Sequence, residues 1–126
     1  MIDEFLQDAR EHMDKSVEAT RGKFGSVRTG RASTALLDRI NVDYYGAQTP
    51  LKQLVKVVRG LAEEGRVAIR NIRRDVMHDL RELREAGEAG ADDEHRAEDA
   101  LQKLTDQKVT ELEAVLKGKE EEILEV

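Results

Sequence analysis

Apolar side chains recur at three- and four-residue steps through most of the chain, the spacing that lines one face of an α-helix. In the first such series, residues 2 to about 28, the positions are Ile2, Phe5, Leu6, Ala9, Met13, Val17, Phe24 and Val27. Asp3, Glu4, Asp8, Glu11, Asp14 and Lys15 fall between them as the wet face. At roughly 1.5 Å per residue this predicts a helix about 40 Å long. The second series, from about 51 to 86, runs through Leu51, Leu54, Val55, Val58, Leu61, Ala62, Ile69, Ile72, Val76, Leu80 and Leu83. The third, to about 125, places Ala97, Leu101, Leu104, Leu112, Val115, Leu116, Ile123 and Leu124 inward.

The breaks are as informative as the series. Arg28-Thr29-Gly30-Arg31 interrupts the first, and Gly30 suits a C-cap or hinge because glycine accepts positive φ at little cost. Ser33 is placed to cap a short helix over Ala35, Leu36, Leu37 and Arg39. Ile40-Asn41-Val42-Asp43-Tyr44 alternates like a strand, and Gly46 marks a turn, so residues 40–48 suggest a small hairpin. Thr49 as N-cap and Pro50 at N1 would start the second helix. Within it, Gly60 and Gly65 invite close approach of a neighbour. Residues 86–91 form a flexible connection, and Asp92 and Asp93 are candidate caps of the third helix, with Glu94 complementing its dipole. The expected fold is mainly α: an elongated antiparallel three-helix bundle of residues 1–29 plus 51–126, with a short irregular or β-hairpin insertion, residues 30–50, at one end.

Composition narrows this. Two Phe, two Tyr and no Trp among 126 residues leave an aliphatic core. The absence of cysteine excludes disulfides and thiolate metal sites. No apolar run is long enough to span a bilayer, and the acidic start Met1-Ile2-Asp3-Glu4 is unlike a signal peptide, so a soluble cytoplasmic protein is the default expectation. The net charge of −6 argues against a general nucleic-acid binder, but it is unevenly spread. Residues 55–85 carry eight basic and six acidic side chains, whereas residues 86–126 carry five and thirteen, a net of −8, so the first can face a polyanion while the second is expected to face away.

That local excess singles out residues 66–75. On a helix, Arg66, Arg70, Arg73 and Arg74 form a cationic stripe beside an apolar one of Ala68 or Ile69, Ile72 and Val76. A planar guanidinium suits phosphate oxygens. The plainer reading is a solvated charged face, and spacing alone favours it. Scarce aromatics argue against a base-stacking platform, so RNA contacts would go to phosphate and shape. His12, His78 and His95 lie far apart and suit surface or boundary positions. No catalytic constellation emerges: the expectation is a non-enzyme without cofactor or metal. On the residues alone, a helical bundle whose faces pair with another protein ranks first.

Specific stretches then change the ranking. They are Met13-Asp14-Lys15, Val27-Arg28-Thr29-Gly30-Arg31-Ala32-Ser33, Val42-Asp43-Tyr44-Tyr45-Gly46, Thr49-Pro50-Leu51-Lys52-Gln53-Leu54, Ala68-Ile69-Arg70-Asn71-Ile72-Arg73-Arg74-Asp75, Gln102-Lys103-Leu104-Thr105-Asp106 and Lys119-Glu120-Glu121-Glu122-Ile123-Leu124. In content and order the chain resembles the bacterial ribosome recycling factors. The resemblance implies a three-helix domain I carrying an inserted β/α/β domain II on two hinge strands. It implies action with elongation factor G and GTP on the post-termination ribosome, as a monomer bound to the 50S subunit and its 23S rRNA. Carried over residue by residue, Arg70, Arg73 and Arg74, with Arg66 nearby, become rRNA contacts, Arg73 foremost, and Arg28, Thr29, Gly30 and Arg31 become the hinge. One departure stands out. Leu54 runs directly into Val55-Lys56-Val57-Val58-Arg59-Gly60, where the family places most of domain II and the second hinge strand between. Residues 31–54 retain only the opening of that domain.

Overall fold

The computed structural model describes residues 1–27 and 48–124, with side chains for 1–27 and 52–124. Three helices account for nearly all of this: α1 (Ile2–Gly25), α2 (Gln48–Glu85) and α3 (Ala91–Leu124). Each packs on both others. Near the start of α1, Ala9 and Met13 join one core cluster with Ile69, Val76 and Leu80 of α2 and Ala97, Leu101 and Leu104 of α3. At its end, Phe24 and Val27 join a second cluster with Leu54, Val58 and Ala62 of α2 and Ile123 of α3. α2 therefore runs antiparallel to α1 and α3, as the apolar series led one to expect. The shared core is aliphatic apart from Phe24 and the partly buried Phe5. The short helix after Ser33, the hinge Arg28, Thr29, Gly30 and Arg31, and residues 40–47 of the expected hairpin lie outside the described residues, while its last residue, Gln48, opens α2 instead.

Several local expectations shift. α2 begins at Gln48, so Thr49 and Pro50 lie inside its first turn instead of capping it. Proline fits there because first-turn N–H groups have no intrahelical acceptor and its φ is already helical. α1 stops at Gly25, where Ser26 tightens the last turn: its hydroxyl and N–H both donate to the Lys23 carbonyl, at 2.7 and 3.2 Å. Leu124, expected inward, is exposed. Ile123 takes the core position, and a neighbour in a helix of 3.6 residues per turn points about 100° away.

The connection from α2 to α3 is a defined turn. Gly87 has φ +76°, its N–H donates to the Arg84 carbonyl at 3.0 Å, and the Glu88 N–H donates to the Leu83 carbonyl at 2.9 Å. This is a Schellman cap, which needs a left-handed residue at that point. α3 opens two residues earlier than a cap at Asp92 would start it. Glu94 N–H donates to the Gly90 carbonyl at 3.0 Å, so Gly90 holds the cap position. Asp92, Asp93 and Glu94 then occupy the first turn, where they still face the positive end of the helix dipole. The Glu94 carboxylate pairs with Arg84 across the turn.

Of the two glycines read as contact points in α2, only Gly65 is one. A Cβ there would lie 2.5 Å from Thr20 Oγ1 and 3.0 Å from Leu112 Cδ2, while at Gly60 it would meet nothing within 4 Å. All three helices converge at Gly65. One turn along α3, Lys108 is buried with its ammonium 2.5 Å from Asp14 of α1 and 3.3 Å from Glu111. The hydrogen bond to Asp14 outweighs burial and, with Glu111, holds the Lys108 pKa above its ordinary 10.5.

Candidate nucleic-acid interface

The apolar face of α2 is anchored by Ile69, fully buried, with Ile72 partly buried beside it and Val76 buried one turn on. Ile69, not Ala68, is therefore the core residue of that turn. Fixing this face fixes the flank next to it, because residues one, four and five places on are rotated by set amounts around the axis. Arg66 and Arg73 are partly buried at the edge of the core, and Arg70 and Arg74 stand further out, exposed. All four sequence-proposed arginines are thus brought onto one side of α2, over roughly two turns. Arg28 and Arg31, the basic residues proposed for the hinge, lie outside the described residues.

The column is longer than the motif that drew attention to it. Arg59 lies seven residues before Arg66, and Arg66 seven before Arg73, so the three stack on one flank. Arg84 continues the same line. A seven-residue spacing of arginines was available in the sequence, but only the four inside the short motif stand out there.

The residues of the column differ in their partners. At its ends it is tied to α3: Arg59 Nε donates to Glu120 Oε1 at 2.6 Å, and Arg84 pairs with Glu94. The acidic third helix therefore does not simply face away, since Glu94 and Glu120 lean on the arginine flank. In the middle, Glu63 holds two arginines. Arg66 Nη2 is 2.8 Å from its Oε2, and Arg70 Nη1 is 3.7 Å from its Oε1. Arg73 and Arg74 form no ion pair among the described residues. Arg70 and Arg73 border a shallow groove of about 340 Å³ between α2 and α3, whose far side includes Gln102, Thr105, Asp106 and Thr110. Gln102 donates to Asp106 across one turn at 2.9 Å.

Chemically the surface offers planar cationic donors backed by hydroxyl and amide groups, set on a helix anchored by its buried face. Guanidinium groups so placed can donate to phosphate oxygens. The histidines give it no catalytic partner. All three are exposed, His78 pairs with Glu82 and His95 with Asp99, each within its own helix. Among the described residues no group of three or more acidic or histidine side chains is placed to hold a metal ion. No helix among them is long and apolar enough to cross a membrane.

Comparison with known proteins gives two findings. The ribosome recycling factor family model matches residues 20–58 and 52–124, two stretches that share 52–58. A ribosome-recycling factor of Rubrobacter xylanophilus is 35% identical over 180 residues, an alignment covering 96% of this chain and 97% of that protein. The aligned length exceeds the 126 residues of this chain, so the relative carries internal residues that have no counterpart here.

Proposed function

The chain belongs to the ribosome recycling factor family, which makes ribosome recycling its general task, and from that premise we propose how its surface serves it. The arginine column of α2 binds large-subunit rRNA of the 50S particle, the 23S rRNA, through backbone phosphates. Arg73 is the central contact, with Arg70 and Arg74 flanking it and Arg66 behind. The observation that carries this reading is that Arg73 and Arg74, alone in the middle of the column, have no acidic partner among the described residues. A buried or tied arginine would have to surrender a carboxylate first, and these two do not.

Residues 1–29 and 51–126 act as the ribosome-seated rod, and residues 30–50 stand as the hinge and the remnant of the inserted domain. In this reading elongation factor G, with GTP, supplies the work of subunit separation on a cytoplasmic ribosome, and the rod acts as a monomer by binding alone. The two family-model stretches meeting at 52–58, and the longer aligned relative, support a chain joined across a missing internal segment. We therefore expect ribosome binding to persist and subunit splitting to be poor.

The test is binding of the purified chain to large ribosomal subunits over a range of salt. Arg73→Gln is expected to weaken binding about tenfold and to reduce the salt slope by about 1, the loss of one phosphate contact. Unchanged affinity and slope would refute the phosphate reading. Binding that ignores salt altogether would favour an apolar protein-facing bundle.

A further inference from the structure

Glu63 stands one turn before Arg66 and two before Arg70, and its single carboxylate engages both. Arg66 reaches Oε2 through Nε and Nη2, each at 2.8 Å, while Arg70 Nη1 lies 3.7 Å from Oε1. The Arg66 side chain is only 18% exposed, whereas Glu63 itself is 53% exposed. The less exposed arginine is thus held against the rod by a carboxylate that stands largely in water. Among the described residues no other acid holds Arg66 or Arg70. Glu94 and Glu120 sit on α3 and clasp the outer arginines, Arg84 and Arg59, between two helices. Asp106 is engaged by Gln102.

We propose that Glu63 is an internal anion occupying the phosphate seats of Arg66 and Arg70 in the free protein, and so a residue that sets affinity and salt dependence for the RNA ligand. This rests on the reading of the column as a phosphate surface. The consequence is an order of engagement. Arg73 and Arg74 meet the polyanion first. Arg66 and Arg70 join only when a phosphate displaces the carboxylate, exchanging one anionic partner for another. That exchange releases fewer counterions than binding to two unpaired arginines would, because one of the two positive charges is already neutralised internally. Glu63 therefore lowers the attraction of the surface for any passing polyanion.

The experiment uses the full chain and a short RNA duplex as probe, titrated at several salt concentrations. Glu63→Gln keeps the size and polarity of the side chain and removes its charge. It is expected to bind the duplex about fivefold more tightly at low salt, the scale of an exposed ion pair, with a salt slope steeper by about 1. The same substitution added to Arg66→Gln/Arg70→Gln is expected to yield no gain. Unchanged or weaker binding by Glu63→Gln overturns the proposal. So does a gain that persists without the two arginines, since that would be a general charge effect. If Arg73→Gln binds the duplex as the unsubstituted chain does, the column is not a phosphate surface and both readings fall. If Arg73→Gln weakens binding but Glu63→Gln does not strengthen it, only the role of Glu63 falls.

Discussion

Two glycines five residues apart on α2 should respond to alanine with opposite signs. At Gly60 the added methyl meets nothing within 4 Å, and the gain is that of replacing glycine by alanine inside a helix, about 1 kcal/mol. At Gly65 the same gain is opposed by the packing. The new Cβ would lie 2.5 Å from Thr20 Oγ1 and 3.0 Å from Leu112 Cδ2. Leu112 could yield a little at the end of its side chain. Thr20 is less free: it is 3% exposed, and its hydroxyl donates to the Ser16 carbonyl at 3.1 Å. Overpacking of this kind typically costs about 1–3 kcal/mol, so Gly65→Ala should be destabilised by up to about 2 kcal/mol after the helix gain. Urea unfolding followed by far-UV circular dichroism separates the two variants. With a slope of about 2 kcal/mol per molar, their midpoints should differ by about 0.5–1.5 M. Thr20→Ala in the Gly65→Ala background should recover part of the loss beyond additivity, because the two groups share one space. If Gly65→Ala proves as stabilised as Gly60→Ala, the three helices do not converge as described.

Gly87→Ala should cost about 1 kcal/mol in the same assay, since φ +76° is left-handed, and Gly87→Asn should cost less. Lys108→Met should change stability by less than about 1 kcal/mol: the aliphatic stem is replaced in kind, and Asp14 and Glu111, about half exposed, are rehydrated. Lys108→Ala should cost more, through lost packing. Because the folded pKa of Lys108 lies above 10.5, its charged form is favoured by folding. That contribution is fully present below about pH 10.5 and fades as pH rises through the higher folded value, so the difference between the native chain and Lys108→Met should change only in strongly alkaline urea titrations.

Much of the architecture is legible in the spacing of apolar residues. Met13, Leu54, Ile69, Leu80, Leu101, Leu112 and Ile123 were all on expected inner faces and are the largest fully buried side chains. The ends were less legible. A run such as Ala91-Asp92-Asp93-Glu94 offers several acceptable starts within one turn, and the choice fell to the Schellman turn behind it and to the Arg84 pairing. Thr49-Pro50 likewise fits two places in a first turn. Leu124 shows the limit of periodicity where two apolar residues are adjacent: only one of them faces the neighbouring helices.

The arginine motif was visible at once as a stripe, since helical geometry follows from residue spacing alone. Its family came from the order of short motifs along the chain. What spacing could not supply was which arginines are already engaged. Glu63 was one of many acids on a helix, and Glu94 and Glu120 belonged to a segment whose net charge of −8 suggested that it turns away from anions. Charge counts carry no direction. Packing α3 against α2 brought two of those carboxylates onto the ends of the column, and a local turn of α2 placed Glu63 on its middle. The sequence by itself determined the three helices, their inner faces and the arginine stripe, because these depend on the regular rotation of one residue relative to the next. The tertiary structure alone decided that Gly65 rather than Gly60 is the contact point, that Lys108 is buried between two carboxylates, and that Arg73 and Arg74 are left without an acid among the described residues, because each of these depends on distances between helices that no single helix specifies.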